Sequence, residues 1–387
     1  MFRTTREGER GAILVHVAFA VLALMAFSTF TIDYGVFWLS RRQAQNAADA
    51  GVMAGALQMI VTPDTTPTGL PTQVAHRLTQ RNFVFGQAPS VTQGPPDITF
   101  PPCPPPYDPA ETCIRVDVYR NQARNNPLPM FAGNFLGLVD QDVQAMATAR
   151  LVGANYSDCN KPVAVMDQFD DNNDNGVFDA GDTYTAPSAT DPGTGYSATQ
   201  PPVGSYGTML VLKSGPQAQL SPGWFHALDY GSGGDTYRDA WSGCVPGASH
   251  GIGDIVDEEN GNMQGPTQQG VADLIAMDEE ADWDGDEITG GCMAALTCDL
   301  SPRVVPIPHF DPAHWTATGA DNQAEIRIVN IIGFFILDSS QIDNPPEGFD
   351  PQFDIAGILI NLPGQYSSTN GEVSAASSFL QTIVLVR

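Results

Sequence analysis

The sequence predicts an α+β protein: an N-terminal transmembrane helix that extends into a mainly β exterior region with short helices, a calcium-binding type of loop and disulfides. Three observations carry that expectation. Residues 12 to 32 (AILVHVAFAVLALMAFSTFTI) form an apolar run in which His16 is the one strongly polar residue, long enough to cross a hydrocarbon core of about 30 Å. Further on, short β-branched runs alternate with Gly, Pro, Asn and Asp, and the chain holds 38 Gly and 31 Pro, a pattern of many turns and short strands. The six cysteines include no C-x-x-C pair, which suits disulfides in an oxidising compartment.

At 387 residues and 42% hydrophobic content, the chain can build one large core or two ordinary ones. Lys and Arg number 17 against 44 Asp and Glu, for a formal charge of -27, and the only lysines are Lys161 and Lys213. Such a surface repels nucleic-acid phosphates and anionic lipid, so no nucleic-acid partner is expected. Divalent cations are better matched to so many carboxylates.

Arg3, Arg6 and Arg10 precede the apolar run and Arg41 and Arg42 follow it, a slight positive-inside bias. The cysteines orient the chain more firmly, placing everything after the helix outside the cytoplasm. Ala48-Asp49-Ala50 has the A-x-A form of a signal-peptidase site, but SRRQAQNAAD separates it from an apolar run longer than a usual signal core, so an uncleaved anchor is expected. Residues 40 to 60 are rich in Ala, Gln, Arg and Met without proline, which continues the helix into water. Ala44, Ala47, Ala48, Gly51, Ala54 and Gly55 recur at three- and four-residue spacing. They either form a face for close packing by a helix or sheet or simply sustain helicity.

The chain divides into 1–60 (cytoplasmic stub, membrane helix and its continuation), 61–155 (a small α+β region) and 156–387 (a β-rich exterior domain). In the middle region PTQVAHRLTQRNFV predicts a helix, as does LPMFAGNFLGL; CIRVDVYRNQ and DVQAMATARLV predict strands, with Ile114, Val116 and Val118 on one face. In the last region strands are expected at PVAVM, GTMLVLK, RVVPIPHF, EIRIVNIIGFFIL, FDIAGILINL and FLQTIVLV. Cys103 and Cys113 flank a proline-rich loop and are the first expected pair. Cys292 and Cys298 suit a small loop, leaving Cys159 with Cys244, although six cysteines allow fifteen pairings.

The sharpest chemical signal is DNNDNGVFDAGD, residues 171 to 182. As a twelve-residue calcium loop it supplies Asp171, Asn173 and Asn175 at positions one, three and five, Gly176 at the sharp turn, the Val177 carbonyl at seven, Asp179 at nine and Asp182 at twelve. No helical pattern flanks it, so an isolated structural site is expected, against the alternative of a solvated turn whose Asn and Asp cap their own backbone. Asp282, Asp284 and Asp286 form a weaker acidic stretch. His309, Asp311 and His314 are of ligand type but lack a nominated further donor. Asp338-Ser339-Ser340 has the wrong spacing for a D-x-S-x-S adhesion site. There is no phosphate loop, G-x-S-x-G or H-E-x-x-H, and no carboxylate pair that would suggest an envelope hydrolase, so no enzyme is expected.

Arg10-Gly11-Ala12, the apolar helix, Asp33-Tyr34-Gly35 and Gln45-Asn46-Ala47-Ala48-Asp49-Ala50 follow one another in an order that resembles the N-terminal region of Tad (tight adherence, Flp pilus) TadE/TadG-like assembly proteins. PGWFHALDYG, IGDIVDEENGNMQGPTQQGVADLI, SPRVVPIPHFDP and IVNIIGFFI more loosely resemble the exterior portion of larger TadG-like proteins. The resemblance implies a non-enzymatic, single-pass component of a bacterial cytoplasmic membrane, its bulk periplasmic or extracellular. Its implied partners are other Tad or pilus proteins, or its own copies, met through the N-terminal helix. A secreted adhesive pilin-like subunit, processed at Gly11 and polymerised through that helix, is the alternative. Pilin-like relatives carry Glu five residues after the Gly, where this chain has His16, and histidine cannot act as the anion that pairs with a new amino terminus.

Overall fold

The computed structural model describes residues 7–386 apart from 132, 134–136, 138, 197–205, 215–219, 232, 260, 262, 319–323, 343, 347, 375 and 376; the side chains of residues 7–12 and 29 also lie outside the description. Helix α1 (Glu7–Val61) runs unbroken for 55 residues, roughly 80 Å at the α-helical rise. No proline interrupts it, and Pro63 follows just beyond its end. Every described residue from Ile13 to Ile32 is exposed, whereas Asp33, Ser40, Ala44, Ala47, Ala48, Val52, Ala56 and Ile60 are buried. That second set is a stripe at helical spacing. The predicted continuation past the apolar run is therefore present, and its small residues are packing residues.

The chain forms two compact units, one of Met1–Gly55, Thr66–Ala149 and Leu385–Arg387, the other of Ala56–Thr65 and Arg150–Val384. In the first, α2 (Leu70–Arg81) begins with Pro71, whose missing N–H is harmless in a first turn. It buries Val74, Ala75 and Thr79 and meets α1 at very short range. A Cβ on Gly51 would stand 1.9 Å from Thr79 Oγ1, and one on Gly55 would stand 2.4 Å from Ile114 Cδ1 and 2.9 Å from Ala75 Cβ. Beyond α2, β1 (Ile98–Thr99), β2 (Ile114–Arg120) and β5 (Val143–Gly153) pair antiparallel in that order. Ile114, Val116 and Val118 are buried as their alternation predicts, opposite Ala149, Ala147 and Ala145. Large residues facing small ones leave room for the helices.

Pro127 and Pro129 bias the residues before them to extended backbone. Hence the stretch LPMFAGNFLGL does not open as the expected helix: Leu128–Pro129 is strand β3, antiparallel to β4 (Asp140–Gln141). Residues 132, 134–136 and 138 of that stretch lie outside the described residues. Asp97 is fully buried; burial pushes its carboxyl pKa up, but the Arg124 guanidinium, 2.6 and 2.7 Å away, and the Thr92 N–H hold it below the ordinary value.

In the second unit, β6 (Tyr156–Ser157) pairs with β10 (His250–Gly251). The main sheet is built from β7 (Val163–Met166), β8 (Met209–Ser214), β9 (Trp224–Ala227), β14 (Val304–Phe310), β15 (Glu325–Ile336) and β16 (Ile355–Ile360). These join in the order β15-β14-β7-β9-β8-β16, and β16 pairs back onto β15, so the six strands close on themselves; β11 (Ile255–Asp257) adds to the other end of β15. Closure removes free edges, and β14 and β16 are buried along their whole length, as the continuous apolar runs require. Helices α3 (Gly234–Ser242) and α4 (Gln264–Ala276) share a core with this sheet through Tyr237, Trp241, Val271 and Leu274.

The sequence pattern did not announce these two helices. Gly265, Pro266 and Gly270 are poor helix formers, yet Gly270 is what lets α4 approach α3: a Cβ there would lie 2.4 Å from Trp241 Cβ. The hairpin β12 (Asp282–Trp283) and β13 (Ile288–Thr289), α5 (Gly291–Ala294) and α6 (Pro312–Thr318) complete the connections. Last come β17 (Leu362–Pro363) and β18 (Leu380–Val386), which pair in parallel. All six expected strands of this region are present. The three disulfides are Cys103–Cys113, Cys159–Cys244 and Cys292–Cys298, the pairing favoured by spacing. Cys159–Cys244 closes the longest loop, 85 residues apart, and so constrains the unfolded chain most, by roughly 4 to 5 kcal/mol in the loop-entropy model.

Gly51→Ala is expected to destabilise the detergent-solubilised chain by about 1 to 3 kcal/mol in chemical denaturation, because Thr79 has to move. Gly35→Ala, whose Cβ meets nothing within 4 Å, is expected to be neutral or slightly stabilising.

Candidate functional site

The most organised polar feature lies where α1 changes from exposed to covered. Asp33 is 5% exposed and its two oxygens accept hydrogen bonds from the backbone N–H groups of Phe131 (2.8 Å) and Gly133 (2.7 Å), just past β3. A short ionised side chain taking two amides fixes both register and direction. Ten residues on, Gln43 Oε1 accepts the N–H of Phe85 at 2.7 Å, and the Phe85 and Phe131 rings meet edge to face at 6.0 Å. Two residues later Gln45 Nε2 donates to Met146 O of β5 at 3.0 Å and to Asp49 Oδ1 at 2.9 Å. Ala47 and Ala48 are fully buried. Asp33 and the Gln45–Ala50 string, which the sequence offered only as a pattern, are thus contacts by which α1 holds the rest of the first unit. Among the described residues nothing lies within 4 Å of a Cβ placed on Gly35.

On the exposed side of the same turns, Phe30 and Tyr34 stack at 5.5 Å and Tyr34 and Trp38 meet edge on at 6.1 Å. Tyr34 and Trp38 are 50% and 44% exposed, the arrangement of an aromatic belt at a membrane–water boundary.

The loop 171–182 is closed at its base by a bridge between Asp170 and Thr183. Asp171 accepts the N–H groups of Asn175 and Gly176, and Asp182 those of Asn172 and Asp179. Asn173 and Asn175 turn their amide nitrogens toward Asp179 and their oxygens toward the backbone N–H groups of Asn175 and Val177. Gly181 N–H and these two amides lower the Asp179 pKa. Asp174 and Gly176 take positive φ at 56° and 72°, the sharp turn that glycine allows. The side chains of Asn173 and Asn175 gather on Asp179, whereas Asp171 and Asp182 hold backbone N–H groups of the loop, so the loop satisfies itself by Asx turns. Among the described residues, no three His, Cys, Asp or Glu side chains are gathered as a metal-ligating group.

The other nominated residues have local structural roles. Asp284 accepts the N–H groups of Asp286 and Glu287 in the β12–β13 turn. Asp338 caps the short 3-10 turn Ser339–Gln341 in a capping box. Asp311 accepts the Ala313 and His314 N–H groups at the start of α6. His309 is fully buried beside Tyr196 and 3.7 Å from Asp167, whereas His314 faces Glu325, so the HFDPAH residues point to different surroundings.

Sequence reasoning passed over Lys161. Only 4% exposed, it donates to Ala240 O (3.3 Å) and Gly243 O (3.0 Å) at the end of α3, a favourable place for a cation. It lines a cleft of about 460 Å³ with the Cys159–Cys244 disulfide and Leu274. A lysine in the middle of a short loop segment gives no periodic signal.

These features define a class: a single long apolar helix whose exposed half precedes a half built into a disulfide-bonded α+β body. Residues 11–58 match the Tad family model, described as "Putative Flp pilus-assembly TadE/G-like". The match spans both halves of α1, from the uncovered run through Asp33 to the packed small residues. No curated protein and no solved structure matches the chain.

Asp33→Ala leaves two amides unsatisfied and is expected to destabilise unit 1 by about 1 to 3 kcal/mol. Hydrogen exchange should show faster exchange at Phe131 and Gly133, with Asp33→Asn intermediate. Burial lowers the Lys161 pKa to about 8, below its unfolded value of about 10.4. The unfolded chain therefore binds the extra proton between those values, and stability gains from Lys161 as pH rises through that window. The wild-type minus Lys161→Met difference in unfolding free energy should be most unfavourable to lysine below pH about 8 and recover toward pH about 10.4.

Proposed function

We propose that the chain is a single-pass component of a Tad-type pilus assembly apparatus, anchored in the bacterial cytoplasmic membrane by the first half of α1. Its exterior body acts without catalysis, by contact with other components of the apparatus. The observation that carries this reading is the Tad match over residues 11–58, lying on a helix long and apolar enough to cross a membrane, whose most apolar stretch is not buried. Cleavage at Ala48-Asp49-Ala50 is disfavoured physically, since Ala48 is fully buried and the cut would sever a helix packed against α2. Three disulfides support an exterior body.

Intact mass and alkaline extraction of host membranes test the anchor. The chain should stay in the membrane pellet with its residues before Gly11 present, and its body should be digested only when protease reaches the outer face. Loss of the residues up to Gly11, with recovery in a sheared surface fraction, would replace this reading by that of a polymerising pilin-like subunit.

Structural calcium in the loop 171–182 belongs to the same proposal. Asp171, Asn173, Asn175, the Val177 carbonyl, Asp179 and Asp182 supply oxygen donors in the order a calcium loop uses. Two amide flips would turn the Asn oxygens inward. An ion there would tie the loop after β7 to itself, contributing stability by linkage. Added calcium is expected to raise the melting temperature of the wild type and not of Asp171→Ala; equal response in both would reduce the loop to an acidic turn.

A further inference from the structure

We infer that Arg41 and Arg42 bind the phosphodiester headgroup of an anionic phospholipid in the exterior leaflet of the bilayer that α1 crosses. This rests on the reading of α1 as a membrane anchor. Both arginines are exposed, and among the described residues neither has a carboxylate or any other hydrogen-bond partner. From Tyr34 to Ala48 the sequence YGVFWLSRRQAQNAA carries these two positive charges and no negative one, in a chain whose formal charge is -27. Other arginines of the chain are matched: Arg115 with Asp117, Arg124 with Asp97 and Arg238 with Asp273, while Arg120 and Arg303 are buried among backbone carbonyls. An adjacent, unmatched basic pair just after an apolar helix also runs against the positive-inside bias. It is the exception that a ligand has to explain.

Position on the helix selects the ligand. Phe30 stacks on Tyr34 at 5.5 Å and Tyr34 meets Trp38 at 6.1 Å. Arg41 and Arg42 follow Trp38 by three and four residues, so one exposed stripe runs from the apolar segment to the arginines. The buried Asp33, Ser40, Ala44 and Ala47 lie on the opposite face. The positions from Ile13 to Ile32 rise about 30 Å, the thickness of a hydrocarbon core, which sets Tyr34 and Trp38 at headgroup level. Arg41 stands about 4.5 Å beyond Trp38, and side chains on a helix lean toward its N-terminus. Both guanidinium groups are thereby carried back toward the bilayer, as long basic side chains are at an interface. Their paired N–H donors match phosphate oxygens. A surface as acidic as the rest of the chain repels anionic lipid, and the arginine pair reverses that sign at the one level where α1 has to meet headgroups.

The full chain reconstituted in phosphatidylcholine vesicles with a trace of spin-labelled phosphatidylglycerol tests this. The fraction of label immobilised by the protein is compared with that of spin-labelled digalactosyl diacylglycerol, a lipid without phosphate. The wild type should favour phosphatidylglycerol, and Arg41→Gln with Arg42→Gln should lower that preference by about fivefold for each charge removed. Arg41→Lys with Arg42→Lys keeps the charge and should keep most of the preference, which separates lost binding from lost folding. Added salt should weaken the preference in the wild type and leave the glutamine variant unchanged.

If the chain floats with the vesicles but holds both labelled lipids equally, the lipid site is overturned and the anchor stands. A preference that survives the glutamine pair and disappears when Arg3, Arg6 and Arg10 are replaced by Gln belongs to the other end of the helix and also overturns it. Release of the label by inorganic phosphate, but not by chloride at equal ionic strength, would make the pair a site for free phosphate and overturn it as well. Failure of the chain to float would remove the anchor and the lipid site together.

Discussion

The architecture of the first unit depends on two missing side chains. Gly51 and Gly55 let α1 come so close to α2 and β2 that any Cβ would overlap Thr79, Ala75 or Ile114. Backbones at that range pack with many dispersion contacts, and burying alanines there costs no side-chain entropy. A helix that leaves an apolar environment would otherwise project alone into water. Here its second half is one of the structural elements of the first unit, packed against α2 and β2 through Gly51 and Gly55.

Asp33 marks the point at which α1 passes from exposed to covered. Before it, α1 is apolar and uncovered; after it, each turn contributes a residue to a packed stripe. A carboxylate at such a place is costly unless its charge is satisfied, and two backbone amides from the β3–β4 hairpin do so. The Asp-x-Gly string of the segment that matches the Tad model thereby acquires a mechanical meaning. It ties one turn of α1 to a loop about a hundred residues away in the sequence.

The second unit solves a different problem. Its strands come from distant parts of the chain, and a sheet of long-range pairings is slow to assemble and prone to edge association. Closing six strands on themselves removes the edges, and the α3–α4 pair covers apolar surface through Trp241 and Leu274. The Cys159–Cys244 bridge and Lys161 meet at the end of α3, joining the chain before the sheet to the helix that covers it.

Periodicity and composition by themselves determined the apolar helix and its continuation, the amphipathic α2, the buried alternation of β2, and all six strands of the later region. Each of these is a local pattern, readable because a helix or strand buries residues at fixed intervals. Cysteine spacing suggested the three bridges that form, but among fifteen pairings only the fold chose them. Only the tertiary structure decided the rest. It turned Leu128–Pro129 into a strand, sustained α4 despite Gly265, Pro266 and Gly270, and closed the sheet from β16 to β15. It also gave Asp33, Gln43, Gln45 and Lys161 distant partners, between 42 and 101 residues away in the chain. A single polar residue has no period, and the groups that satisfy it are brought near only by folding.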